Sequence, residues 1–77
     1  MNKADKEMLD EQINALDAVK TVLDEYKNEQ QDIYDELSEK SQEGDKGQAL
    51  QAVLEQLETA CDNIDYAIQE INNVLGN

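Results

Sequence analysis

Apolar residues recur every seven positions through the second half of the chain. Leu50, Leu57, Ile64 and Ile71 define heptad position a, Val53, Ala60, Ala67 and Val74 fall at d, and Leu54, Cys61, Ile68 and Leu75 fall at e. An a/d/e stripe is wider than a simple coiled-coil seam, so a helix carrying it is expected to meet more than one neighbour. Polar and acidic residues occupy the other side, among them Glu55, Glu58, Asp62, Asp65 and Gln69. The pattern predicts a helix over 47–75. Asp45 with Gln48 three residues on reads as a variant capping box, and Gly76 as the stop.

The first half repeats less regularly. Leu9, Leu16, Leu23 and Leu37 share position a, with Gln30 in the missing slot. Val19, Tyr26 and Ile33 fall at d with Gln12 as the polar exception, and Ile13 and Tyr34 fall at e. These spacings predict a helix over 5–38. The stripe thins between Lys27 and Asp32, which leaves open either a polar layer within one helix or a break near Asn28. Gly44, Asp45 and Gly47 mark a turn over 39–46, in which 39–42 forms an extra helical turn in one reading.

A short connection makes the two helices antiparallel neighbours. The expected fold is therefore all-α: one domain over 1–77, an antiparallel helical hairpin that pairs into a homodimeric four-helix bundle. Self-association follows because one antiparallel helix does not cover the whole a/d/e stripe. Leu16, Leu23, Leu50, Leu57, Ala60, Ile64, Ala67, Ile68 and Ile71 are the expected packing and dimer core, with Tyr26 inside it. A three-helix bundle broken near Asn28 is the alternative.

Charge changes the picture from shape to partners. The 77 residues carry 19 Asp plus Glu against 6 Lys, with no His, for a net charge of −13. Such a balance excludes a basic nucleic-acid-binding face. Without His, the commonest general base and metal ligand is missing, and one Cys supplies neither an internal disulfide nor a Cys-rich zinc site. No Gly-rich phosphate loop occurs, since neither Gly44 nor Gly47 is followed by Lys-Ser or Lys-Thr. No apolar run is long enough for a membrane span or a signal peptide. The expectations are a cytoplasmic protein that is not an enzyme, holds no cofactor or metal, and does not contact nucleic acid or membrane directly.

The carboxylates fall in lines. Glu25, Glu29, Asp32, Glu36 and Glu39 alternate by four and three along the first helix, and Asp10, Asp17 and Asp24 repeat by seven. Glu55, Glu58, Asp62 and Asp65 form a line on the second helix, and no Lys follows residue 47. At these spacings neighbouring Cβ atoms are roughly 5–6 Å apart, broadly comparable to phosphates along a nucleic-acid strand. A solvated face that keeps a small bundle soluble is the bland account of such runs. Imbalance favours a functional account, because Glu36–Lys40 and a few i,i+3 pairs such as Asp17–Lys20 and Asp24–Lys27 are all that offset so many carboxylates. Tyr66 at c lies among these carboxylates and is a candidate anchor for a partner, since Tyr is enriched in interface hot spots. Cys61 at e reads as a small buried hydrophobe in a negative setting that disfavours a thiolate.

The stretch Tyr34-Asp35-Glu36-Leu37-Ser38-Glu39-Lys40-Ser41-Gln42, then Gly47-Gln48-Ala49-Leu50 and the Leu57, Ala60, Ile64, Ala67-Ile68 stripe, resembles small acidic helical proteins carried by Gram-positive bacteria, their phages and mobile elements. The likeness covers about residues 30–75, and Ser38 stands where those proteins often have Pro. The resemblance implies a helical hairpin and carries no activity and no functional residue. Small acidic phage proteins as a class often block host defence enzymes or transcription factors. The expected function is accordingly a non-enzymatic protein-binding module, in its most concrete form a DNA-mimic inhibitor occupying the basic nucleic-acid groove of a host protein. The alternative is a structural dimerisation or adaptor bundle whose charge serves only solubility.

Overall fold

A computed structural model describes residues 1–76, and they are all-helical: α1 (Lys3–Glu36), α2 (Glu39–Glu43) and α3 (Asp45–Gly76). The molecule is a rod of 58 × 16 × 13 Å with a radius of gyration of 17.4 Å, against about 11.5 Å for a compact chain of this length. Its length is that of α1, since 34 residues at ~1.5 Å each extend about 51 Å.

Asn2 opens α1, its side-chain oxygen accepting from the backbone N–H of Asp5 at 2.8 Å. The helix continues unbroken through Asn28, so the thinning of the apolar stripe is a polar stretch within one helix. It stops where Leu37 turns to extended backbone, and Ser38 then caps α2, accepting from the N–H of Ser41. The single turn read over 39–42 is thus a short helix.

Asp45 is the first residue of α3 rather than its cap. Gly44 precedes it and its carbonyl accepts from the N–H of Gln48 at 3.0 Å. The Gln48 side chain donates to the carbonyl of Glu43 at 3.1 Å instead of completing a capping box.

Three polar links fix how α1 and α3 lie together: Lys20 to Asp65, Cys61 to Asp24, and Gln51 to Tyr34. Partner numbers fall as α1 ascends, so the two helices run in opposite directions in one continuous register. Most half-buried positions are a and e on both, among them Leu9, Ile13, Leu16 and Leu23 on α1 and Leu54, Leu57, Ile64, Ile68 and Ile71 on α3; Ala60 and Ala67 at d of α3 and Asp24 at b of α1 join them. The expected core residues Leu16, Leu23, Leu50, Leu57, Ala60, Ile64, Ala67, Ile68 and Ile71 are all half-buried, and among the described residues only Cys61 and Gly47 are buried.

Tyr26 is not core. Together with Val19 and Ile33 at d, it is exposed, at 47%, 50% and 42% respectively. The reason lies on α3, where Leu, Ile and Cys fill a and e while small Ala60 and Ala67 occupy the middle of d. Contact area is greatest when the pair meets on the bulky a/e edge. That rotation also brings Lys20, Asp24, Lys27 and Gln30 into the seam, half-buried. A lysine is tolerated at such a half-buried site because its methylene stem is apolar and only its end needs water or a counter-charge, which Asp65 supplies to Lys20.

Candidate functional site

With a and e turned to the partner helix, the remaining positions fall on two flanks and a back. Position b lies on one flank with f behind it, d lies on the other with g behind it, and c lies at the back. Reversing a helix also reverses its sense of winding seen from one end, so the same letters of two antiparallel helices share a flank. This sorts the acidic residues by geometry. Glu25, Glu29, Asp32 and Glu36 sit at c and g of α1, away from α3. Glu55, Glu58, Asp62 and Asp65 sit at b and f of α3, on the flank they share with Asp10, Asp17 and Asp24 of α1. The two lines therefore occupy opposite edges of the rod and do not merge into one face. Glu39 leaves the first line altogether, because α1 ends at Glu36 and Glu39 begins α2.

All of these acidic residues except half-buried Asp24 are exposed, as is Tyr66 at 64%. Countercharge is sparse. Among the described residues, ion pairs form only between Lys3 and Glu7 at 3.9 Å and between Lys20 and Asp65 at 2.8 Å. Glu36–Lys40 does not form because α1 stops between them, and Lys20 reaches across to Asp65 instead of back to Asp17. Asp65 is thus the one member of the α3 line with a paired charge. Its hydrogen bond holds the Lys20 ammonium above its ordinary range.

Cys61 is 5% exposed and its Sγ donates to Oδ1 of Asp24 at 3.3 Å. Burial pushes the thiol up, and the Asp24 carboxylate pushes it further. The folded state therefore holds the thiol proton more tightly than the unfolded chain does. The stability this contributes is fully present below about pH 8.5 and is lost as pH rises through the elevated thiol value. We expect denaturation midpoints to decline above that pH and the decline to flatten in Cys61→Ala. Thiol reagents at neutral pH should label the native chain far more slowly than the unfolded chain; equal rates would contradict this environment.

Two residues at the α2–α3 corner were not singled out as structural determinants by the periodicity. Gln42 donates from Nε2 to the carbonyl of Tyr34 at 3.0 Å, tying α2 to the last turn of α1. Gly47 lies directly against the Gln42 backbone: a Cβ there would stand 2.0 Å from the Gln42 carbonyl oxygen. Among the described residues no pocket forms, and no cluster of three His, Cys, Asp or Glu side chains takes a metal-ligating arrangement. No helix is long and apolar enough to cross a membrane. The described surface thus offers two kinds of feature, acidic edges and an apolar flank at d. No protein-family model matches the chain, and no curated protein or solved structure matches it either.

Proposed function

We propose that the chain is a non-enzymatic acidic module, a helical hairpin that binds a basic protein surface through its carboxylate edges. In its most specific form it occupies the nucleic-acid groove of its target as a DNA mimic, which makes it an inhibitor of that target. The observation that carries this reading is the line Glu25, Glu29, Asp32 and Glu36. All four are exposed on the back of α1, and none is engaged in an ion pair among the described residues. Like charges at these spacings repel by a few tenths of a kcal/mol per pair. A target presenting Lys and Arg would relieve that repulsion and be steered to the rod by its field.

The second reading is a structural dimerisation or adaptor bundle. It is favoured by the apolar flank, where Val19, Tyr26, Ile33, Val53 and Val74 are each at least 38% exposed. Exchanging Glu29, Asp32 and Glu36 together for Lys separates the two. Loss of the partner supports binding through the acidic edge; a retained partner makes the edge a solvated surface and leaves the adaptor.

A further inference from the structure

The d flank combines exposed apolar side chains with an uncharged stretch on both long helices. On α1, positions d and g from Met8 to Tyr26 carry no charge: Met8, Gln12, Ala15, Val19, Val22 and Tyr26. On α3, positions d and g from Ala49 to Ala67 are likewise uncharged; beyond these stretches Glu29 and Glu36 at g of α1 and Glu70 at g of α3 border the flank. In a chain of net charge −13 this is a strong segregation. It brings Val22, 63% exposed, and Val19, 50% exposed, onto the same side as Val53 and Val74.

We infer that a second copy of this chain covers the d flank, so that two α1–α3 pairs stack face to face as a four-helix bundle, with the b/f acidic edge outward and Glu29 and Glu36 at the rim of the interface. This rests on the packing of α1 against α3 described above and deepens the proposed function by locating its self-association.

Area, charge and shape point to the same occupant. A folded monomer of 8.7 kDa is expected to expose about 4,700 Å². This one exposes 5653 Å², a surplus of roughly 900 Å², against about 800 Å² buried per partner in a standard interface. Pairing through the d flank buries this surplus without placing carboxylate lines against each other, which pairing through the b/f side would do. A basic partner, by contrast, would find few charges on this flank to meet.

The flank is also self-complementary. The register set by Lys20–Asp65, Asp24–Cys61 and Tyr34–Gln51 places Tyr26 level with Ala60, Val19 level with Ala67, and Ile33 level with Val53. A twofold axis parallel to the rod lays α1 of one copy over α3 of the other at the same height. The large side chains of α1 then stand over the small ones of α3, as interdigitating helix layers require. Neighbouring helices are antiparallel throughout, and the interface is isologous.

Sedimentation equilibrium on the full chain at tens of micromolar, with circular dichroism as the control for folding, tests this. The unmodified chain is expected to be a dimer. Val22→Lys lowers the net negative charge, so general repulsion alone would strengthen association; burial of the new ammonium between α1 of one copy and α3 of the other, beside the d seam, should instead raise the dimer dissociation constant at least about tenfold. Because Val22 is exposed in the single chain, helicity should persist. Asn28→Lys, on the b/f side, makes the same charge change and should leave the dimer intact. A monomeric unmodified chain overturns the inference, as does a Val22→Lys variant that dimerises like the unmodified chain. A monomer that still binds a basic partner leaves the proposed function standing without the dimer; a dimer that binds none leaves the reverse.

Discussion

Gly47→Ala is expected to destabilise the fold by about 2 kcal/mol, although helix propensity alone predicts the opposite sign. Gly47 lies inside α3, where replacing Gly by Ala ordinarily gains about 0.5–1 kcal/mol. Here the new Cβ would meet the carbonyl oxygen, carbonyl carbon and Cα of Gln42 at 2.0, 2.4 and 2.5 Å. These are backbone atoms, so relief requires α2 to move away from α3. That movement strains the Gln42 link to Tyr34, and overpacking of this kind costs about 1–3 kcal/mol or more. For a domain of this size the net loss lowers Tm by roughly 10 °C. Gly44→Ala is the control. A Cβ there would stand 3.5 Å from its nearest neighbour, the Lys40 carbonyl oxygen. Loss of a favourable cap residue and the smaller entropy of the unfolded chain oppose each other, so the change should stay within about 1 kcal/mol. Thermal denaturation of both variants decides the matter; a Gly47→Ala protein as stable as the unmodified one would mean that α2 does not press on α3.

The second large effect joins two opposite signs in one variant. Changing Glu29, Asp32 and Glu36 to Lys moves the net charge from −13 to −7, since each exchange shifts it by two. The last turn of α1 has no basic residue, so its carboxylates oppose the negative end of the helix dipole. Relief of that opposition and of neighbouring repulsion should stabilise the fold by about 1 kcal/mol. The same exchange places three cations where a basic partner expects anions. At roughly 1 kcal/mol or more lost per reversed contact, the complex should weaken by about a hundredfold or more. Denaturation and binding titrations on the same preparation read both signs. A variant that is more stable and binds unchanged would place the partner elsewhere on the rod.

The periodicity of Leu50, Leu57, Ile64 and Ile71, and of Leu9, Leu16 and Leu23, was sufficient to locate both long helices to within two residues at each end. Heptads report where apolar residues lie along a helix. They do not report which edge of a wide stripe a single neighbour takes. That choice depended on the bulk of a and e against the small Ala60 and Ala67, and it moved Tyr26 from the expected core to the surface. Spacing offers Lys20 and Lys27 only as partners for Asp17 and Asp24, yet both are half-buried in the seam and Lys20 pairs with Asp65 instead. Gly47 looked like an ordinary turn residue. No described glycine has positive φ, so its requirement is spatial and arises only once α2 folds back on α3. The acidic lines were legible as lines, but their separation onto opposite edges depended on the a/e contact, and the end of α1 at Glu36 removed Glu39 from its line.

The claim that the acidic edges are the binding surface is tested most directly by the salt dependence of what the chain holds. The chain is immobilised, exposed to a cell lysate at low ionic strength, and washed with rising salt and then with duplex DNA. Exposed charge pairs weaken as the Debye length shrinks towards about 3 Å at 1 M salt. The account predicts that basic nucleic-acid-binding proteins are retained, leave at moderate salt and are displaced by the duplex. A partner that stays bound through high salt and ignores the duplex would contradict it.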